Sequence, residues 1–266
     1  MMRRNMARFR AADRHRLALI KFRLRQLFLS ALVTLPAVAV FNAAIIETAR
    51  ADEKIVVYAL EAPPLASARE PHGFIHKATV AILERAGFEA DVQYIAWLRA
   101  QERVRETGDA LLIPFGRIEG REDNYQWLVP LYDLKRAFVS VAEPVPSLEA
   151  AKALDTVGVE RGTARQRMLE DMGFENLDAV FDEESNARKL AAGRLDAWAI
   201  SVPEALLLWQ EGGYQQPLQI GAVFGRQPLY IAAGMGFPED KAERIRKAGE
   251  VFLTDGSMQR LIESYR

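Results

Sequence analysis

The residue types that do chemistry are sparse beyond residue 51, and their scarcity is informative. The chain has no cysteine, which removes thiol nucleophiles, disulfide frameworks and thiolate metal sites. His72 and His76 stand four residues apart, a spacing at which one helix face can hold a metal. Pro71 and Gly73 oppose a continuous helix there, and no carboxylate motif accompanies the pair. No G-x-S-x-G elbow, P-loop or G-x-G-x-x-G fingerprint is present. Glu61 and Glu160 are the acids on which a proton-transfer mechanism would draw.

What the residues offer instead is a means of holding an anion. Arg117 and Arg121 lie four apart in the segment RIEGRED, and a guanidinium fork meets a carboxylate bidentately. Gly162-Thr163 opens a helical stretch, and free N–H groups at a helix start attract negative charge. Each has a plainer reading: Arg121 as one more solvated surface arginine, Thr163 as a helix N-cap. No metal and no cofactor are expected.

The elements that must position these groups begin after an unusual N-terminal segment. Residues 1–26 carry eight arginines and Lys21 against a single acid, Asp13, and residues 27–46 carry no charge. Ala49-Arg50-Ala51 then supplies an A-x-A site. Basic, apolar and small-residue regions in this order are those of a secretory signal peptide, with cleavage expected after Ala51 and a periplasmic destination. The competing reading is an uncleaved anchor, since twenty apolar residues suffice to span a bilayer. Without residues 1–51 the chain keeps 25 basic residues against 34 acidic, a net charge of −9. Such an acidic globule is a poor partner for nucleic acid. Half of the residues are apolar and 27% charged, which excludes a disordered chain.

From residue 52 onward, strand and helix patterns alternate. Strands are expected at 54–60, 91–95 and 110–115, with helices at 75–85 and 98–106 between them. The rhythm recurs: extended at 136–142, helix 147–154, strand 156–160, helix 163–172, a short strand at 180–181, helix 184–192, strand 196–200, helix 203–209 and an extended stretch at 218–224. A strand at 229–233, a helix at 239–253 and a short terminal helix remain. This is an α/β fold of two units, each a mostly parallel sheet flanked by helices. No Pro/Gly/Ser linker separates them, so the chain is expected to cross between lobes on strands. The expected division is a signal peptide at 1–51, lobe one from 52–138 and 229–266, and lobe two from 139–228. That arrangement suits a hinged clamshell with a ligand between the lobes.

Five segments, in order, then resemble one family. Pro63-Pro64 with Gly73-Phe74 is similar to its opening motif, and Trp97-Leu98-Arg99-Ala100 with Gly108-Asp109-Ala110 to the next. Arg117 to Arg121 with Trp127 and Pro130-Leu131-Tyr132 follows, then Gly158 to Thr163, then Gly193-Arg194-Leu195-Asp196-Ala197. Together they resemble the periplasmic (extracellular) solute-binding proteins of family 3, the polar-amino-acid type that feeds ABC importers. The resemblance implies the type II periplasmic binding clamshell, a monomer, an ABC permease as partner, and binding rather than catalysis.

It also implies site residues. Arg121 corresponds to the arginine that clamps the ligand's carboxylate, and Gly162 and Thr163 to donors from the opposite lobe. Aromatic walls are expected from Tyr58 and Trp97, with Trp198 less favoured, against the plainer reading of each as core; Arg117 is either a second positive charge for a diacid or a surface residue. The sequence departs from the family at the amine site, where Ser201 replaces a carboxylate and cannot neutralise an ammonium. Gly116 and Ile118 replace small hydroxyl residues, and Lys77 replaces an aspartate. The ligand is therefore expected to be a small carboxylate, or an amino-acid-like metabolite whose amine is held by another acid, Glu61. Two further readings share the fold: an extracytoplasmic sensory domain, and a cyclohexadienyl-dehydratase-like enzyme.

Overall fold

The computed structural model describes residues 53–265. The expected signal peptide, its cleavage site after Ala51 and the anchor alternative lie outside the described residues. Among the described residues no helix is long and apolar enough to cross a membrane.

The first unit opens with β1 (Glu53–Ala59), α1 (Phe74–Arg85), β2 (Phe88–Tyr94), α2 (Trp97–Thr107) and β3 (Leu111–Gly116). Strand β3 is buried at every residue, as a strand covered on both faces must be. A 3₁₀ turn (Glu119–Asn124) leads into β4 (Tyr125–Ser140). The second unit follows: α3 (Leu148–Lys152), β5 (Val157–Glu160), α4 (Ala164–Asp171), β6 (Leu177–Val180), α5 (Glu183–Ala191), β7 (Ala197–Ser201) and α6 (Val202–Glu211). Strand β8 (Gln219–Gly234) returns to the first unit, where α7 (Glu239–Thr254) and α8 (Ser257–Glu263) complete it.

The eight strands form one sheet in the order β2-β1-β3-β8-β4-β7-β5-β6, where the sequence reading expected a separate sheet in each lobe. The reason is the length of β4 and β8. Each is 16 residues long, about three times a usual strand, whereas the expected strands covered only fragments of them. They pair antiparallel from Tyr125↔Gly234 to Ser140↔Gln219 and so tie the two parallel trios together. Pro130 and Pro228, which donate no backbone hydrogen bond, and Gly225 break the hydrophobic pattern and hid this continuity from the sequence. The ladder shifts register beside Arg136, which faces Gly225 while the next residue, Ala137, faces Val223.

Apolar residues from Ile55 to Leu134 and from Leu229 to Met258 build two clusters. Two others draw on Phe138 to Leu218 and Phe224. Burial of this kind, at roughly 25 cal/mol per Å² of apolar area, is what sets the strands and helices in place.

Candidate functional site

Parallel strands in both trios present their carboxyl ends to a common cavity of about 550 Å³, the position at which open α/β sheets bind ligands. Strand β1 ends into Leu60 and Glu61, β3 supplies Pro114, Phe115 and Gly116, and β7 ends in Ser201. The long strands cross the floor. Leu134 and Arg136 on β4, and Gln227 and Leu229 on β8, project to the same side by the two-residue period of a strand, with Leu134 opposite Gln227 in the ladder. A second cavity of about 460 Å³ adjoins the first and shares Arg136, Arg165, Glu204 and Gln227 with it.

Arg121 lines the first cavity. The 3₁₀ turn holds it so that its Nη1 donates to the Gly116 carbonyl at 2.9 Å, and its guanidinium lies 4.5 Å above the centre of the Phe115 ring. Trp97, at the start of α2, stands edge-on to Phe115 at 5.8 Å and also lines the cavity. Among the described residues Arg121 has no carboxylate partner, which leaves its remaining donors for a ligand.

The opposite wall comes from the second unit. Arg165 sits in the first turn of α4, where a basic side chain opposes the helix dipole. It is held there by Glu183, a buried acid at 5% exposure, with Glu160 at 3.8 Å and Glu204 at 3.6 Å. Glu183 in turn accepts from Trp198 Nε1 at 2.7 Å and Asn186 Nδ2 at 2.8 Å. Burial lowers the pKa of Arg165, while Glu204 and Glu160 oppose that shift. Burial pushes the Glu160 carboxyl up, Arg165 pulls it back, and Glu204 adds to the rise. The first cavity thus carries three guanidiniums, Arg121, Arg136 and Arg165, of which Arg165 is paired with carboxylates.

Of the residues singled out from sequence, the structure brings Arg121, Trp97, Glu61 and Ser201 together at the first cavity. Glu61 accepts from the Ala68 amide at 2.9 Å, which lowers its pKa, and it also borders an outer cavity beside Pro71 and Tyr265. Ser201 donates to Glu204 at 3.0 Å. Thr163 lines only the second cavity, and caps its helix by accepting from Gln166 N at 3.2 Å.

Four residues are placed otherwise. Tyr58 is buried in the core with Ala100 and Val104, its hydroxyl turned to Arg103 at 3.4 Å, and it lines neither of the two cavities. The side-chain alternation of β1 turns it inward. Gly162 also lines neither, and its N–H is taken by Gln166 Oε1 at 2.7 Å; its φ of 77° serves the turn into α4. Arg117 reaches the second cavity but is already paired bidentately with Glu122, at 2.8 Å through both Nε and Nη2, which raises its pKa. Trp198 is fully buried.

The other constellations do not assemble. His72 and His76 stack at 4.7 Å, but their ring nitrogens meet Ser67, Glu70 and Tyr94. Glu61 and Glu160 line different cavities. Sequence reasoning missed Arg136, Arg165, Glu204 and Gln227. One signal was available: a cation in the first turn of a helix, at Arg165, needs a compensating acid.

Comparison with solved structures defines the class to which this architecture belongs. The chain is similar to substrate-binding domain 2 of GlnP from Lactococcus lactis in an open conformation, at 16% identity over 80% of this chain and 95% of that one, with a TM-score of 0.66. It is similar to the second substrate-binding domain of a putative amino acid ABC transporter from Streptococcus pneumoniae, at 19% identity over 80% and 99%, TM-score 0.65. A histidine kinase sensor domain with similarity to periplasmic binding proteins matches at 18% identity over 80% and 96%, TM-score 0.58. The fold is therefore the two-lobed α/β periplasmic binding type that the motifs imply, and at these identities the likeness is one of fold. No family model matches the sequence, and no curated protein matches it.

Proposed function

We propose that the protein is a solute-binding protein, exported to the periplasm by cleavage after Ala51, that captures a small carboxylate or amino-acid-like metabolite for an ABC importer. One observation carries this reading: Arg121, without a carboxylate partner among the described residues, lines a cavity of about 550 Å³ at the strand ends, facing Ser201 and Glu204. The lobes are residues 52–138 with 229–266, and residues 139–228. The ligand's carboxylate docks on Arg121, and closure brings Ser201 and Glu204 against the remainder of the ligand. Contacts made only in the closed form shift the population toward that form. Glu204 lies one helical turn beyond Ser201 and supplies the charge that Ser201 lacks, so an α-amino group, where present, meets Glu204 or Glu61.

A thermal-shift screen of the exported protein against amino acids, hydroxy acids and dicarboxylic acids tests this. A ligand at 100 times its Kd adds about 2.7 kcal/mol, and the shift is lost in Arg121→Ala. A panel of carboxylates that leaves the melt unchanged sinks the proposal.

The likeness to a kinase sensor domain favours a second reading, a ligand-binding sensor held by an uncleaved N-terminal segment. The mass of the exported protein separates the two, because an anchored sensor retains residues 1–51.

A further inference from the structure

Arg136 is the side chain that the binding reading leaves over. It stands on β4 at the junction of the two units and lines both adjoining cavities. Its Nη2 donates to Gln227 Oε1 at 2.8 Å, a neutral acceptor, and among the described residues it forms no ion pair with a carboxylate. Burial lowers its pKa, the nearby Arg165 lowers it further, and Glu204 opposes both. A half-buried cation that has surrendered water without a carboxylate in direct contact is costly to keep. It persists where a ligand supplies the missing charge.

The backbone is shaped to aim it. The register shift beside Arg136, against Gly225 and then Val223, is a bulge of the kind that redirects a side chain next to a site. Gln227, directly opposite Leu134, is held over Gly116, and the Gly116 carbonyl accepts from Arg121 at 2.9 Å. Arg121 and Arg136 are thereby linked through Gly116 and Gln227 along one cavity, both with donors to spare. Arg165 does not compete for the same role, since Glu183, Glu160 and Glu204 already surround it.

We infer that Arg136 and Gln227 form a second anion subsite on the crossing strands, so that the ligand is a dianion whose two acidic groups are held by Arg121 and Arg136. The inference rests on the solute-binding reading and narrows its ligand class to short dicarboxylates, with or without an α-amino group near Glu204.

Isothermal titration of the full chain tests it with succinate, glutarate, adipate and L-glutamate. Each is compared with its monoamide, namely succinamate, glutaramate, adipamate and L-glutamine, which differ in charge but hardly in shape. At least one dicarboxylate binds about ten- to a hundredfold tighter than its monoamide, the worth of one charge-assisted contact. Arg136→Gln brings that ratio close to one. Gln227→Glu does the same by giving Arg136 a carboxylate of its own, and it keeps the guanidinium in place should Arg136→Gln fold poorly. Monoamides that bind as tightly as the dicarboxylates, or a ratio that survives both variants, overturn the subsite; if Arg121→Ala still abolishes that binding, the solute-binding reading stands. Absence of binding by every compound in both series overturns the two together.

Discussion

Gln227 fills the space over Gly116 that a β-carbon there would need. From that position its Oε1 accepts from Arg136 at 2.8 Å, while the Gly116 carbonyl accepts from Arg121 at 2.9 Å. One residue without a side chain therefore seats two of the cavity-lining guanidiniums, those of Arg121 and Arg136.

Gly116→Ala follows from this contact. The atom in the way is the end of a flexible side chain, so the fold accepts the methyl group at a cost of about 1 kcal/mol or less. Gln227 must swing aside and release Arg136. Urea denaturation is expected to change little, while the preference for dicarboxylates over monoamides falls.

Arg121→Ala is expected to weaken carboxylate binding by about 2–3 kcal/mol, as removal of a charge-assisted pair desolvated on closure should. Its melting temperature without ligand should stay near that of the parent, because among the described residues its side chain makes one hydrogen bond, to Gly116 O, and one ring contact, with Phe115. Calorimetric titration and an unliganded melt, run side by side, check both halves; an unchanged affinity removes Arg121 from the site.

Glu204→Gln separates amine recognition from carboxylate recognition. Ligands with an α-amino group should lose about tenfold in affinity, and their des-amino counterparts should not. If Glu61→Gln produces that pattern and Glu204→Gln does not, the amine lies at the end of β1 instead. Competition titrations with matched pairs decide between them.

Glu183→Ala attacks the support rather than the site. Glu183 is buried and holds Arg165, Trp198 and Asn186, so its loss leaves a desolvated guanidinium and an unsatisfied indole N–H. Breaking such a pair costs about 3–5 kcal/mol, to be read as a drop in the urea midpoint at constant slope.

Asp255 governs part of the acid limb of stability. The Ser257 hydroxyl and N–H, then Arg85, lower its pKa from 3.8 to about 2, with Ser257 N at 2.8 Å and Arg85 Nη1 at 2.7 Å. A carboxylate with a depressed folded-state pKa stabilises above its unfolded value and loses that contribution as pH falls through the folded one. The contribution is therefore whole above about pH 4 and fades toward pH 2. Denaturation at pH 5, 3 and 2 should show Asp255→Asn losing less stability across that window than the parent, the remaining loss belonging to Glu61, Glu122 and Asp182, whose pKa values are also lowered.

Much of the fold was legible because local patterns carry it. The β-branched run in β1, the valines of β5, the glycines that end helices and the caps at Thr163 and Asp182 are short-range signals, and they place the alternating strands and helices. Arg121 and Ser201 were singled out through the family resemblance and Trp97 as a candidate aromatic wall, and all three line the first cavity. Tyr58 was misread because a single aromatic in a strand does not declare which face it points to; β1 turns it into the core behind Trp97.

The sequence by itself determined the α/β alternation, the absence of cysteine chemistry and the acidic balance of residues 52–266, all consequences of composition and short-range spacing. Only the tertiary structure decided that β4 and β8 run as two long paired strands, because hydrogen bonding between segments almost a hundred residues apart overrides the prolines that interrupt each alone. That pairing is what sets Arg136 beside Gln227 and both beside Arg121. Glu204 meets Arg165 for the same kind of reason: the fold brings the first turn of α4 to Glu183 at the start of α5 and Glu204 at the start of α6, so one cation sits among three acids, and no spacing along the chain announces it.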